Sequence, residues 1–151
     1  MIRVQLLTLV LGAVAALASC SVRPVYNDQE KALAQNGVDR FHERYNRRDY
    51  DGLYALMDAN VQRGQPREVA VPAMQQTVET WGNEQATSMV FAKVFPGPPI
   101  QVRMIYNTTY EKGNAQEWFI WTSDGKQASL LQYQIFPGSA DEKTIKSASS
   151  Q

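Results

Sequence analysis

His42, the only histidine of the chain, together with Glu117 and the tyrosines Tyr45, Tyr106 and Tyr133, makes up the set of side chains that could move a proton. An imidazole gains and loses its proton near neutral pH, and a tyrosine or a protonated acid can hold a developing oxyanion. Such a set would serve a small isomerase or hydratase using His42 with a Tyr. The commoner role of a histidine within an apolar helical stripe is structural, with its ring nitrogens hydrogen-bonded in the core. One Cys and one His cannot assemble a zinc site or a disulfide, and no second ligand stands at His-x-x-x-His spacing. No nucleophile elbow, phosphate loop or Ser-His-Asp order occurs. The expectation is therefore binding, not catalysis, with no metal and no cofactor.

The chain has 151 residues, with 15 basic against 15 acidic side chains, 44% hydrophobic and 20% charged residues. That length fits one compact domain, and a balanced charge gives no global field to concentrate a polyanion, so nucleic acid is not an expected partner. Arg40, Arg44, Arg47 and Arg48 are the one concentration of positive charge. With Asp39, Glu43, Asp49 and Asp51 beside them, they read as a solvated helix face; the other role open to them is contact with lipid head groups or an acidic partner.

Arg3 precedes an apolar run from Leu6 to Ala18, and small residues follow before Cys20, the layout of a secretory signal. The run is too short to cross about 30 Å of hydrocarbon, and the chain turns polar at Arg23, Asn27 and Asp28. Leu17-Ala18-Ser19-Cys20 resembles the lipobox of bacterial lipoproteins. The resemblance implies cleavage between Ser19 and Cys20 and acylation of Cys20, with palmitate-like chains, as a membrane anchor. Ser21, where Asp would favour the inner membrane, implies the periplasmic face of the outer membrane.

Residues 1–19 thus read as a signal peptide, 20–37 as a lipidated Cys and tether, 38–137 as the folded domain, and 138–151 as a disordered tail. Within the domain, Val38, Phe41, His42 and Tyr45 make one amphipathic helical face, and Tyr50, Leu53, Tyr54 and Met57 a second, with Asp49 as its N-cap. Val71, Met74, Val78 and Trp81 make a third, closed by Gly82. From Ser88 the pattern is extended: 89–95, 100–110, 116–122 and 128–136. Asp124-Gly125 predicts a two-residue hairpin, pairing Trp118 with Leu131 and Gln116 with Tyr133 on one face. Phe119 with Leu130, and Trp121 with Ala128, would then share the other, as would Glu117 with Gln132, which speaks against a joint site of Glu117 with Tyr133. Both faces are partly apolar, so three helices would cover one and leave the other for a partner.

The fold class expected is α+β: three N-terminal helices packed on a curved, four-stranded, mainly antiparallel sheet. Phe41 to Met57, Val78 to Gly82, Phe95-Pro96-Gly97, Tyr106 to Tyr110, Glu117 to Trp121, Asp124-Gly125-Lys126 and Tyr133-Gln134-Ile135 resemble the nuclear-transport-factor-two-like, or cystatin-like, superfamily. They are similar in particular to small bacterial envelope proteins of unknown function within it. The resemblance implies a cone that can hold a small apolar ligand, with His42, Tyr45, Trp81, Tyr106, Trp118 and Tyr133 as candidate cavity residues. It also implies an outer sheet face for a homodimer, an assembly role or an envelope protein partner, to which Phe119, Trp121 and Leu130 are assigned.

Overall fold

The computed structural model describes residues 26–150; Ser19, Cys20 and the rest of the leader lie outside the described residues. Among the described residues, four helices precede the sheet and one follows it: α1 (Tyr26–Asn46), α2 (Tyr50–Ala55), α3 (Ala59–Gly64), α4 (Arg67–Trp81), β1 (Glu84–Phe95), β2 (Ile100–Tyr110), β3 (Gly113–Ser123), β4 (Ala128–Pro137) and α5 (Glu142–Ser150). The strands form one antiparallel sheet in the order β1-β2-β3-β4. The class is α+β, with helices packed on the sheet as expected.

The first helix is longer than its sequence signal. Tether residues 26–37 belong to α1, because Glu30, Ala34 and Val38 continue the buried stripe of Phe41 and Tyr45 at four-residue steps. Gly37, which lowers helix propensity, stands where bulk is excluded: a Cβ there would lie 2.9 Å from the ring of Trp121. Asp49 caps α2 as expected, its side chain accepting from the N–H of Gly52 at 2.9 Å. The third predicted helix is α4, and it begins at Arg67, so Pro72 falls in its second turn. Gly82 ends it with φ 76°, its N–H donating to the Val78 carbonyl.

The β3–β4 turn differs from the expected two-residue hairpin. Ser123 pairs with Ala128, and the Asp124 carboxylate accepts the N–H groups of Lys126 and Gln127, stabilising a longer loop. A bulge at Leu131 then adds one residue to β4, so Trp121 faces Leu130 but Phe119 faces Tyr133, and Glu117 faces Ile135. Tyr133 therefore shares a face with Glu117, Phe119 and Trp121. The expected pairs of Trp118 with Leu131, Gln116 with Tyr133, Phe119 with Leu130 and Trp121 with Ala128 do not form.

This register also settles which face is the core. Ala115, Glu117, Phe119 and Trp121 of β3 are buried beneath α1 with Val102, Met104, Tyr106 and Tyr110 of β2. Phe119, Trp121 and Leu130, assigned to a partner face, are thus core residues at 1%, 0% and 2% exposure. Trp118 points the other way, away from the expected cavity, with its ring 6.1 Å from Phe136. The tail expected to be disordered forms α5, which lies over that outer face. Its Ala148 is buried, Lys93 donates to the Ser149 carbonyl, and Asn107 accepts from the N–H of Ala140. Ile145, the tail's one large apolar residue, is half-buried in this helix.

Because the Trp121 ring leaves no room for a side chain on α1, Gly37→Val should lower unfolding free energy by about 1–3 kcal/mol through overpacking. Gly64→Ala, where nothing lies within 4 Å, should stay within about 0.5 kcal/mol of the parent. Urea denaturation of both variants checks the pair of outcomes.

Candidate functional site

Alternation along β2 and β3 brings Tyr106, Thr108 and Tyr110 to the same face as Glu117, and α1 lays His42 over them. Glu117 has 0% exposure and is met from every side. Its Oε2 lies 2.9 Å from His42 Nε2 and also accepts the Thr108 hydroxyl. Its Oε1 accepts the hydroxyls of Tyr110 at 2.7 Å and Tyr133 at 2.8 Å. A carboxylate offers about four lone-pair positions, so this one has none left for a substrate proton.

The protonation states follow from these contacts. Burial opposes a charge on His42, but its hydrogen bond to Glu117 and the negative charge of that carboxylate outweigh this and raise the imidazole above its ordinary 6.5. Burial likewise opposes ionisation of Glu117, yet the His42 bond and charge, with Thr108 and Tyr110, hold it below the ordinary 4.5. The pair is therefore ionic, with His42 Nε2 donating. Burial first, and the Glu117 charge second, push Tyr110 and Tyr133 upward, so both phenols stay neutral donors. Burial also raises Tyr45 and Tyr106.

Beside this cluster, an apolar cleft of about 320 Å³ runs between the edge of β4 and helices α2, α3 and α4. Phe41, Tyr45 and Tyr133 form its inner wall, Met74 and Ala70 of α4 face them, and Leu130 through Ile135 form its side. Among the described residues, no Asp, Glu, Lys, Arg or His lines it. Tyr133 joins the two features: its ring lines the cleft and its hydroxyl donates to Glu117.

The candidate cavity residues divide accordingly. Tyr45 and Tyr133 line the cleft, and His42 lies behind it in the ionic cluster. Trp81 packs instead against Tyr110, with ring centroids 5.9 Å apart, and Tyr106 against Phe119 at 5.9 Å. Trp118 belongs to the opposite face. Thr108 and Tyr110 were not singled out by sequence reasoning, although the i, i+2, i+4 spacing of Tyr106, Thr108 and Tyr110 marks one polar strand face. The arginine cluster is partly consumed by local structure: Arg44 donates to the Gly52 carbonyl, Arg48 to that of Tyr45, and Arg47 pairs with Glu43. Among the described residues, no group of three or more His, Cys, Asp or Glu side chains could hold a metal ion.

The linkage between charge and stability has two limbs. The contribution of Glu117, whose folded value is depressed, is present above about 4.5 and is lost as pH falls through that lower value. The contribution of His42, whose folded value is raised, is present below about 6.5 and is lost as pH rises through that higher value. The pair's contribution should therefore be greatest between these limits. Thermal unfolding from pH 3 to 9 should show it, and Glu117→Gln should cost about 3–5 kcal/mol at pH 5.5, the usual effect of removing one partner of a buried pair. The variant should also flatten the alkaline limb; an unchanged limb would assign it to other groups.

Neither the family models nor the curated proteins give a match to this chain. Among solved structures, the chain is similar to the structure of Bdellovibrio bacteriovorus Bd1075, with a TM-score of 0.50 and 8% sequence identity. The similarity covers 76% of this chain and 42% of that one, so this chain spans less than half of that protein. At this identity the likeness is one of fold alone: an α+β arrangement of helices on an antiparallel sheet, shared with a bacterial protein.

Proposed function

We propose that this chain is a bacterial lipoprotein whose α+β domain binds an apolar group in the cleft between α4 and β4 and performs no proton chemistry. The observation that carries the reading is the division of labour at Tyr133. On one side lies an apolar cleft of a size suited to a small ligand, about 320 Å³. On the other lies a carboxylate whose hydrogen-bonding capacity is filled by His42, Thr108, Tyr110 and Tyr133. A general base needs a free lone pair within reach of its substrate, and Glu117 has neither. The ionic cluster fixes the inner wall of the cleft, and the cleft does the binding.

In this reading residues 1–19 are removed, Cys20 carries the acyl anchor, and the domain stands on the periplasmic face of the outer membrane. The lipobox-like Leu17-Ala18-Ser19-Cys20 supports the anchor, and the helices on an antiparallel sheet suit the nuclear-transport-factor-two-like superfamily. Among the described residues no helix is long and apolar enough to cross a membrane. Multiple acyl chains would hold the protein stably where one chain would not.

Two measurements test the two halves. Native mass spectrometry of the protein released from its membrane should show a retained small mass or an added apolar probe, and Met74→Trp, which fills the cleft from α4, should abolish it while the circular dichroism spectrum is kept. Retention unchanged by Met74→Trp would move the ligand elsewhere. Cys20→Ala should eliminate incorporation of labelled palmitate and leave the signal uncleaved; labelled Cys20→Ala protein would overturn the anchor.

A further inference from the structure

The cleft runs along the outer edge of a β-sheet. Six successive residues of β4, from Leu130 to Ile135, line it. One face of a strand would contribute only alternate residues, so the cleft touches the strand side-on, at its backbone. The sheet order makes β4 an edge strand, bonded to β3 along one side only. On its other side, the described chain reaches it at a single residue. The Leu130 N–H donates to the Leu56 carbonyl at 2.7 Å, and the Leu130 carbonyl accepts from Asp58 at 2.8 Å, forming a one-residue parallel bridge with Met57. The chain then leaves the edge to begin α3.

Edge strands are normally protected from further pairing by charge, proline or bulges. The far edge, β1, has two register irregularities and Lys93. On β4 the bulge lies at Leu131, beside the Met57 bridge, and the ladder is regular from Gln132 to Pro137. Gln132 and Gln134 are exposed and uncharged, and Pro137 comes only at the strand's end. An aliphatic molecule filling the cleft would strip water from the free edge groups without pairing them, which is costly. An extended backbone would pair them.

We propose that the β4 edge is a strand-addition site: an uncharged, extended peptide pairs alongside Gln132 to Ile135, continuing the line begun by Met57, and places alternate apolar side chains in the cleft. Main-chain pairing would supply affinity, and the cleft wall of Phe41, Met74 and Tyr133 the side-chain preference. The proposal rests on the reading of the same cleft as a binding site and names the class of its partner.

The test uses the full chain in lipid nanodiscs and three probes: a blocked hexapeptide alternating valine and threonine, the same peptide methylated on every amide nitrogen so that neither edge can donate, and 1-decanol. The unmethylated peptide should bind by fluorescence anisotropy and slow hydrogen exchange over residues 131–136. Methylation, which removes donors and keeps the side chains, should weaken binding at least roughly tenfold. Equal binding of both peptides, or peptide binding without slowed exchange in β4, would overturn strand addition. If neither peptide binds while decanol stabilises the protein and Met74→Trp abolishes that effect, strand addition fails and the apolar cleft stands. If no probe binds, both readings fail.

Discussion

A carboxylate with no exposed surface at the centre of β3 constrains nearly everything around it. An uncompensated buried charge costs several kcal/mol, and the cost is offset only where a counter-charge and hydrogen bonds reach it together. Glu117 draws these from three elements: His42 from α1, Thr108 and Tyr110 from β2, and Tyr133 from β4. Each donor must arrive at its own register. A slip of α1 along the sheet would remove His42, and a one-residue slip of β4 would turn Tyr133 to the opposite face. The cluster thus selects one packing among several that would bury similar apolar area.

The bulge at Leu131 reconciles this requirement with the apolar core. Leu130 opposes Trp121 near the hairpin, and without an added residue Phe119 would oppose Gln132. The bulge places Tyr133 there instead, its ring 4.6 Å from Phe41 and 5.0 Å from Phe119. Aromatic packing and carboxylate satisfaction are then met by one side chain. The same bulge twists β4 next to the Met57 bridge, where the edge begins to line the cleft.

Much of the architecture was legible in the sequence because it rests on local rules. The 3.6-residue stripes gave the helices, Asp49 and Gly82 gave ends whose geometry matches, and the strands from β2 onward fall close to their expected limits. The site was legible in composition but not in arrangement. His42, Tyr45 and Tyr133 were identifiable as candidates, yet their relation to Glu117 hangs on a loop two residues longer than the Asp-Gly signal suggests, followed by a bulge. The loop's two extra residues preserve facing, whereas the single bulge residue inverts it beyond Leu131, and neither has a strong sequence mark. Trp118 and Trp121 consequently exchanged roles. The two helices at the chain's extremes had weak signals for a different reason: α1 begins with polar residues and includes Gly37, and α5 has only Ile145 and Ala148 to set against the sheet.

Those two helices also explain why the sheet's two faces differ. The inner face has a long, deeply stripped helix with small residues, Ala34 and Gly37, where Trp121 presses against it. The outer face has α5, a short helix of lysines and serines; Lys93 donates to its Ser149 carbonyl, and Asn107 accepts from Ala140 in the segment that leads into it. On this face Ile105, which lines one pocket with Ala148 of α5, is 1% exposed, while Phe136 is 40% exposed. An apolar sheet surface that a helix can reach is thus covered, however thinly, from within the chain. The β4 edge differs in kind, since a helix placed over it would satisfy side chains but no backbone groups. Only another extended segment can complete it. Among the described residues, the segment at Met57 meets this edge in one bridge before α3 begins, and the cleft lies beyond it.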